Sequence, residues 1–167
     1  FQEYEWRWKQ QEISPLAASP RWNGESLTGK TLLVYTEQGY GDAIQFIRYF
    51  LLLKDENVKI ILKTDRLLTS LFENLSVHLI DLFLSLEESG NAPLPHFDYS
   101  IPLLSMPAVF KTTLETIPVE IPYLRVKQLD SPCQEHHKQC FKVGFAWAGS
   151  PTNQADFKRS CPLDYFL

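Results

Sequence analysis

Short apolar runs alternate along the chain with segments in which apolar positions recur every three or four residues. The runs at 31–35 (TLLVY), 58–62 (VKIIL) and 77–80 (VHLI) predict buried strands, because short β-favouring apolar runs are typical of parallel sheets. The segments 43–54 and 65–75 have helical spacing and lie between these runs. Helices that join parallel strands make right-handed crossovers, so we expect an α/β fold with a Rossmann-like, doubly wound parallel sheet.

The helical spacing also predicts which side chains face the core. In the first helix the apolar face consists of Ala43, Phe46, Ile47, Phe50 and Leu51. In the second helix we expect four residues to point inward: Leu67, Leu68, Leu71 and Phe72. The stretch 81–96 has mixed character and receives no assignment, while 97–102 predicts a fourth strand and 103–110 a short helix that is interrupted near Pro107.

Changes in composition divide the chain into segments. Residues 1–12 (FQEYEWRWKQQE) predict an amphipathic helix, the end of a preceding helical region, that packs on something upstream or on the next domain. The other expected segments are a Ser-, Pro- and Gly-rich linker at 13–29, a Rossmann-like domain at 30–124, a polar linker at 125–140 and the truncated start of a second domain at 141–167. The second domain is expected to open with a strand at 141–147. We therefore expect the chain to be a piece of a longer protein.

Charge and composition exclude several classes of partner. The 167 residues carry 16 Lys and Arg against 20 Asp and Glu, so the net charge of -4 offers no basic surface for nucleic acid or an anionic membrane. The apolar stretch around 43–53 is too short to span a bilayer. Three cysteines and no secretion signal favour a cytoplasmic location.

The turn after the first predicted strand, EQGYGD (37–42), has the composition of a binding site. Gly39 and Gly41 allow a ligand to approach the main chain at a helix start, where free N–H groups favour anions. The turn departs from the dinucleotide-binding fingerprint, because Ile44 stands in the third glycine position. A nicotinamide cofactor is therefore not expected.

Asp42 has two interpretations. A carboxylate at the carboxyl edge of a parallel sheet can act as a general base toward a substrate hydroxyl. The spacing Asp42-x-x-Gln45 equally fits a helix cap, in which the aspartate binds free N–H groups of the first turn. Glu37 and Gln38 either orient a substrate or simply solvate the turn.

Two further groups of residues are of types that bind metal ions or phosphates. A set of metal-ligating residue types lies at helical spacing within a polar, linker-like stretch: Cys133, His136, His137 and Cys140. One helix cannot surround an ion tetrahedrally, so we expect no metal site there. Near the carboxyl end, Lys158, Arg159 and Ser160 stand before a predicted helix start and could hold a diphosphate, or form an exposed surface pair and a helix start without a ligand.

Five motifs in order resemble a known family. They are 22–33 (WNGESLTGKTLL), 37–49 (EQGYGDAIQFIRY), 102–107 (PLLSMP), 112–118 (TTLETIP) and 147–149 (WAG). Together they resemble the glycosyltransferase-like domain that follows tetratricopeptide repeats in bacterial proteins, which is similar to the family 9 glycosyltransferases that include heptosyltransferases. The opening YEWRW resembles the end of such a repeat array.

The resemblance implies a GT-B architecture, in which an acceptor-side half and a nucleotide-sugar half face a cleft. It implies that Asp42 is the catalytic base, that Gln38, Gly39 and Gly41 contact the acceptor substrate, and that the three residues 158–160 contact the donor diphosphate. The chain departs from the family pattern in the last segment, where Ser150, Asn153, Ala155 and Phe157 stand.

The resulting expectation is part of an inverting, metal-independent glycosyltransferase with a nucleotide-sugar as co-substrate and no further cofactor. The acceptor is a glycan, a lipid-linked sugar or a protein, the upstream repeats supply protein contacts, and the fragment alone is expected to be inactive. The alternative is a non-catalytic, degenerate glycosyltransferase-like module that serves a repeat protein as a binding scaffold. The altered residues between Ser150 and Phe157 favour that alternative.

Overall fold

The computed structural model describes most of the chain, and the chain divides into two compact units. The described residues are 1–9, 19–54, 56–75, 79–86, 93–125, 143–149, 155–158 and 160–166. The first unit is Phe1–Gln128 and the second is Leu129–Leu167.

A four-stranded parallel sheet forms the centre of the first unit. The strands are β1 (Thr31–Tyr35), β2 (Lys59–Thr64), β3 (Ile80–Ser85) and β4 (Tyr99–Pro102), and their order across the sheet is β3-β2-β1-β4. Leu32 of β1 is level with Ile60 of β2 on one side and with Tyr99 of β4 on the other. The predicted α/β fold with a Rossmann-like parallel sheet is confirmed.

Short helices connect the strands. The α-helices are α1 (Tyr40–Phe46), α2 (Arg66–Phe72) and α3 (Met106–Val109). A 3₁₀ helix, Ile47–Leu53, continues α1, and another, Leu103–Ser105, precedes α3. The remaining described 3₁₀ helices are Glu3–Lys9, Leu114–Thr116, Asp156–Lys158 and Leu163–Phe166.

The core lies mainly on one face of the sheet. Leu32 and Val34 of β1 point into this core. The 3₁₀ helix that continues α1, helix α2 and the segment after β4 pack over it with residues that include Ile47, Phe50, Leu68, Phe72 and Leu103. Leu33 points to the opposite face, where a smaller cluster forms around it and Ile61. A strand with both faces buried has a continuous apolar sequence, which explains why the run TLLVY correctly predicted β1.

Two apolar side chains from the expected linker belong to the core. Trp22 and Leu27 are buried at 4% and 1% exposure. The Trp22 ring packs edge-on against Phe110, with centroids 5.5 Å apart, and its indole N–H donates to the Glu25 carbonyl at 2.8 Å. Arg21 forms an isolated parallel bridge with Ser100 of β4. Residues 19–29 therefore pack with the sheet domain.

The third strand differs from its prediction. It was expected at 77–80, but the described strand runs from Ile80 to Ser85, and residues 76–78 lie outside the described part of the chain. The Asp81 carboxylate accepts a hydrogen bond from the Ile60 amide at 2.7 Å, where the register between β2 and β3 shifts. A carboxylate inside an edge strand interrupts the apolar pattern by which strands are recognised.

The inward face of α2 also differs in one residue. Leu68 and Phe72 are buried, whereas Leu67 is 72% exposed. The Asp65 carboxylate caps the helix by accepting from the Leu67 amide at 2.8 Å, which places Leu67 in the first turn on the solvent side. The prediction that Leu67 points inward was wrong.

The pair Leu67 and Leu68 provides a test of the fold. We expect Leu68→Ala to lower the free energy of unfolding by about 2 to 5 kcal/mol, because it removes a side chain buried in the core. The same substitution at exposed Leu67 is expected to change it by no more than about 0.5 kcal/mol. Urea unfolding of both variants measures the difference, and equal losses would contradict the orientation of α2.

Candidate functional site

The candidate site lies at the carboxyl end of β1. The chain places β2 and β3 on one side of β1 and then returns to place β4 on the other side. The strand order therefore reverses at β1, and in open α/β sheets the carboxyl edge at such a switch point is the usual place for a ligand. The candidate residues 38–42 follow β1 at this point.

The loop after β1 is anchored on its β2 side. The Thr36 amide donates to the Lys63 carbonyl at 3.0 Å, and the hydroxyls of Thr36 and Thr64 are 3.4 Å apart. Beyond the loop, the Tyr40 hydroxyl donates to the Asp65 carboxylate at 3.0 Å. These bonds fix the start of α1 relative to the end of β2.

Helix α1 begins at Tyr40, and Gly39 is its N-cap residue with φ -64° and ψ 165°. No side chain makes a capping hydrogen bond. Asp42 is the third helical residue, so the interpretation of Asp42 as the cap is wrong. An acidic side chain in the first turn still interacts favourably with the helix dipole.

The Asp42 carboxylate is half-buried and has room beside it. Within the described part of the chain it has no hydrogen-bond or ion-pair partner. A Cβ atom placed on Gly39 would lie 3.7 Å from Asp42 Oδ2, so the carboxylate leans over the first turn. A Cβ atom placed on Gly41 would have no neighbour within 4 Å.

The two glycines leave space but do not supply unusual backbone angles. Gly39 has an ordinary extended conformation, and Gly41 lies inside the helix; neither has a positive φ. The turn therefore does not depend on the conformational freedom of glycine. What remains is the open main chain at the exposed positions 39 and 41, which a ligand can approach.

Glu37 has surroundings opposite to those of Asp42. Its side chain is 6% exposed, and its Oε1 atom accepts a hydrogen bond from Arg7 Nη2 at 2.6 Å. Its Oε2 atom is buried and has no hydrogen-bond partner among the described residues. Burial raises the pKa of Glu37 to about 7, and the hydrogen bond and charge of Arg7 oppose this rise only in part. Glu37 does not merely solvate the turn.

Arg7 is the centre of a polar cluster that also contains Glu5, Arg21, Glu37 and Ser105. Its Nη2 atom donates to the Ser105 hydroxyl at 2.8 Å, and its Nη1 atom donates to Glu5 at 2.8 Å. Glu5 also pairs with Arg21 and accepts from Ser105. The pattern of residues 1–12 gave no signal for this role, because the partners of Arg7 are separated from it by 30 and 98 positions.

The charges within the cluster stabilise one another. Burial raises the pKa of Glu5, but the hydrogen bonds from Arg7 and Arg21 outweigh it, and the net pKa is lowered. Burial lowers the pKa of Arg7, but Glu5 and Glu37 outweigh it, and the net pKa is raised. Arg7 and Glu5 therefore remain charged at neutral pH, whereas Glu37, with its pKa raised to about 7, titrates close to neutral pH.

Gln38 is exposed, and its side chain contacts the same N-terminal segment. Its Oε1 atom accepts a hydrogen bond from the Tyr4 hydroxyl at 3.0 Å. Two consecutive residues of the candidate loop, Glu37 and Gln38, are thus bound by side chains of the 3₁₀ helix Glu3–Lys9.

The candidate donor residues lie in the second unit. Lys158 is exposed, with its ammonium group 5.5 Å from the centre of the Phe157 ring. The Ser160 hydroxyl donates to Asp156 at 2.7 Å and accepts from the Gly149 amide at 2.8 Å. Arg159 lies outside the described residues.

The strand expected at 141–147 is not formed over its described part, because residues 143–147 have no strand partner among the described residues. Extended residues make a strand only when another strand satisfies their backbone groups, and apolar pattern alone does not supply that partner.

The structure describes neither a metal site nor a membrane-spanning helix among the residues that it covers. Cys133, His136, His137 and Cys140 lie outside the described residues. Among the described residues no three metal-ligating side chains gather. The helices in the same part of the chain are all too short or too polar to cross a membrane.

Two surface cavities of the first unit lie away from the candidate residues. One, of about 380 Å³, is lined by Phe1, Glu3, Pro107 and Lys111 among others. The other, of about 230 Å³, lies beside Trp22 and Phe110. Neither is lined by residues 37–42.

The raised pKa of Glu37 predicts a pH-dependent stability. The folded chain retains the Glu37 proton up to about pH 7, whereas the unfolded chain releases it near the model-compound value of 4.5. The stability of wild type relative to Glu37→Gln should therefore fall from about pH 5 to about pH 8, by on the order of 1 to 3 kcal/mol. Urea unfolding across this range measures it.

Glu115→Gln is the control for that measurement. The Thr113 hydrogen bond lowers the pKa of exposed Glu115, so this carboxyl is ionised in both states above about pH 5. Its stability difference from wild type should stay flat across the range. The same flat line for Glu37→Gln would show that the Glu37 carboxyl is not held in the buried state described above.

Comparison with known proteins gives no relative for this chain. No model of a known protein family, no curated protein and no solved structure matches it.

Proposed function

We propose that the chain is part of a sugar-nucleotide-dependent inverting glycosyltransferase of GT-B architecture, and that the first unit is its acceptor-side half. The proposal is supported by the parallel sheet with its switch point at β1 and by the five motifs of the sequence. The single observation that carries it is the Asp42 carboxylate, which is accessible at that edge and has no partner among the described residues.

The mechanism assigns the base role to Asp42. The carboxylate takes the proton of an acceptor hydroxyl while that oxygen attacks the anomeric carbon of the donor sugar. The bond from that carbon to the diphosphate breaks, and the electron pair leaves with the nucleoside diphosphate. Lys158, Arg159 and Ser160 are the residues proposed to bind the diphosphate, where a cation stabilises the charge of the leaving group.

The structure favours Asp42 over the neighbouring carboxylate. A general base must come within hydrogen-bond distance of the proton that it takes. Glu37 is buried and bound by Arg7, so it cannot reach a substrate without losing that bond. Asp42 stands beside the open main chain at Gly41 and needs no such change.

The alternative is a non-catalytic binding module of a repeat protein. Two observations in the second unit favour it: residues 143–149 form no strand, and the Ser160 hydroxyl is already bound to Asp156 and Gly149. The two candidates differ in donor binding, because a ligand that binds the native state raises its melting temperature. Melting curves of the full-length protein with UDP-, GDP- and ADP-linked sugars separate an enzyme from a module that binds no donor.

Asp42→Asn tests the proposed base. We expect turnover in the full-length protein to fall about 100- to 10,000-fold, because the amide cannot take the proton of the acceptor hydroxyl. Release of nucleoside diphosphate from the donor sugar measures turnover. The melting temperature should change little, because the carboxylate has no described partner to lose.

Glu73→Gln is the matched control for this variant. Glu73 is an exposed carboxylate at the end of α2, so its amide should have wild-type turnover. Unchanged turnover in Asp42→Asn would refute the assignment of the base.

Gly41→Ala tests whether a substrate approaches the main chain of α1. The added methyl group enters open space at a helical position, so we expect the free energy of unfolding to rise by about 0.4 to 1 kcal/mol. Turnover should fall because the methyl occupies the space left for the acceptor. Urea unfolding and turnover are measured together, and a stabilised variant with wild-type turnover would show that the acceptor binds elsewhere.

A further inference from the structure

The loop that leads to Asp42 is held by a segment from far upstream. Arg7 Nη2 donates to Glu37 Oε1 at 2.6 Å, and the Tyr4 hydroxyl donates to Gln38 Oε1 at 3.0 Å. Both donors belong to the 3₁₀ helix Glu3–Lys9. Within the described residues, no other side chain hydrogen-bonds to the side chains of Glu37 and Gln38.

Arg7 also binds the second loop at the switch point. Its Nη2 atom donates to the Ser105 hydroxyl at 2.8 Å, and Ser105 is fully buried immediately after β4. One guanidinium therefore joins the carboxyl ends of β1 and β4. Its planar shape and several fixed donors suit this bridge, which the single ammonium of a lysine could reproduce only in part.

The bridge bears on Asp42 through a short stretch of chain. Glu37 is two residues before Gly39, the N-cap of α1, and Asp42 is in the first helical turn. On the β2 side the same stretch is anchored by Thr36 and Tyr40. With Arg7 in place the loop is held firmly on both sides, whereas without it the exposed Tyr4–Gln38 hydrogen bond is the one described side-chain bond from the N-terminal segment that remains.

We propose that Arg7 is a positioning residue of the candidate site, which acts through Glu37 to fix the loop 36–39 and thereby the Asp42 carboxylate. This inference rests on the proposed function for the role of Asp42. It assigns a part of the acceptor site to the N-terminal segment, which the sequence placed in a separate helical region. Misplacement of a reacting group by about 1 Å costs roughly 100-fold in rate, so the loss of such a bridge has a measurable effect.

The first test measures the loop itself and does not depend on activity. The Ala43 amide donates to the Gly39 carbonyl at 3.1 Å and reports on the first turn of α1. In Arg7→Met we expect its hydrogen exchange, followed by NMR on the 167-residue chain, to become about tenfold faster or more. An unchanged exchange rate at Ala43 would overturn the proposal.

Arg21→Met is the matched control. Arg21 belongs to the same cluster and pairs with Glu5, but its side chain makes no described hydrogen bond or ion pair with Glu37 or Gln38, and its charge acts on Glu37 less than that of Arg7 does. We expect wild-type exchange at Ala43 in this variant. Equal acceleration in both variants would mean that the cluster acts on stability in general, which also overturns the proposal.

A second pair of variants allows for the burial of Glu37. Arg7→Met alone leaves that carboxyl buried without its guanidinium, and the chain could fail to fold. The double variant Arg7→Met/Glu37→Met removes both groups, and it should show the same faster exchange at Ala43. Arg7→Lys keeps the positive charge, but on a single ammonium group that cannot make all the bonds of the guanidinium. The exchange rate of the Ala43 amide in this variant should therefore lie between those of wild type and Arg7→Met.

The last measurement uses turnover of the full-length protein with the donor sugars named above. We expect kcat to fall about 10- to 100-fold in Arg7→Met with KM for the donor nearly unchanged, since the loop belongs to the acceptor side. Arg7→Lys should recover part of kcat, and Arg21→Met should retain it. A wild-type kcat in Arg7→Met, in a protein whose Asp42→Asn variant is inactive, would overturn the positioning role alone.

Absence of effect in Asp42→Asn is a different result. It would refute the assignment of Asp42 as the base, whereas the exchange measurement at Ala43 would still decide whether Arg7 fixes the loop.

Discussion

The position of β1 between two parallel neighbours is the constraint on which the rest of the first unit depends. Leu32 and Val34 enter the main core on one face, and Leu33 enters the smaller cluster on the other. Because β1 is held on both sides and both faces, its carboxyl end cannot shift. The loop that follows is therefore fixed at its start, and residues 38–41 are exposed at the carboxyl edge of the sheet.

At this edge the buried guanidinium of Arg7 hydrogen-bonds to side chains that follow β1 and β4. Removing a carboxylate from water costs several kcal/mol unless its oxygens are hydrogen-bonded. Arg7 satisfies Oε1 of Glu37, but Oε2 has no described partner, and the pKa of Glu37 rises to about 7 as a result of its burial. The proton on Glu37 thus compensates for a bond that the fold does not supply.

The hydrophobic pattern of the sequence predicted correctly those elements whose burial follows from their own segment. β1 was predicted with its observed bounds, because a buried central strand is a continuous apolar run. β3 was misplaced, since it is an edge strand whose Asp81 binds a neighbouring amide. Leu67 was misassigned because the apolar spacing of α2 includes one position that the cap turns outward.

The candidate site was predictable only in its first half. The turn 37–42 could be identified from its glycines and carboxylates, because these residue types are visible in the sequence itself. The contacts of Arg7 could not be identified, because its partners lie 30 and 98 residues away and no periodicity connects them. Long-range polar contacts are fixed by the tertiary arrangement of loops, which the pattern of a single segment does not contain.

The two carboxylates that follow β1 illustrate how environment divides roles between chemically similar groups. Glu37 and Asp42 are five positions apart, yet one is buried against a guanidinium and the other leans over an open helical turn. In enzymes, a pair of carboxyls with contrasting surroundings commonly performs two different tasks. Under the proposed function Asp42 contacts the substrate, and Glu37 links the N-terminal segment to the loop that precedes Asp42. A disturbance of that segment would then reach the site mainly through the Arg7–Glu37 ion pair, because Glu37 lies two residues before the N-cap of α1.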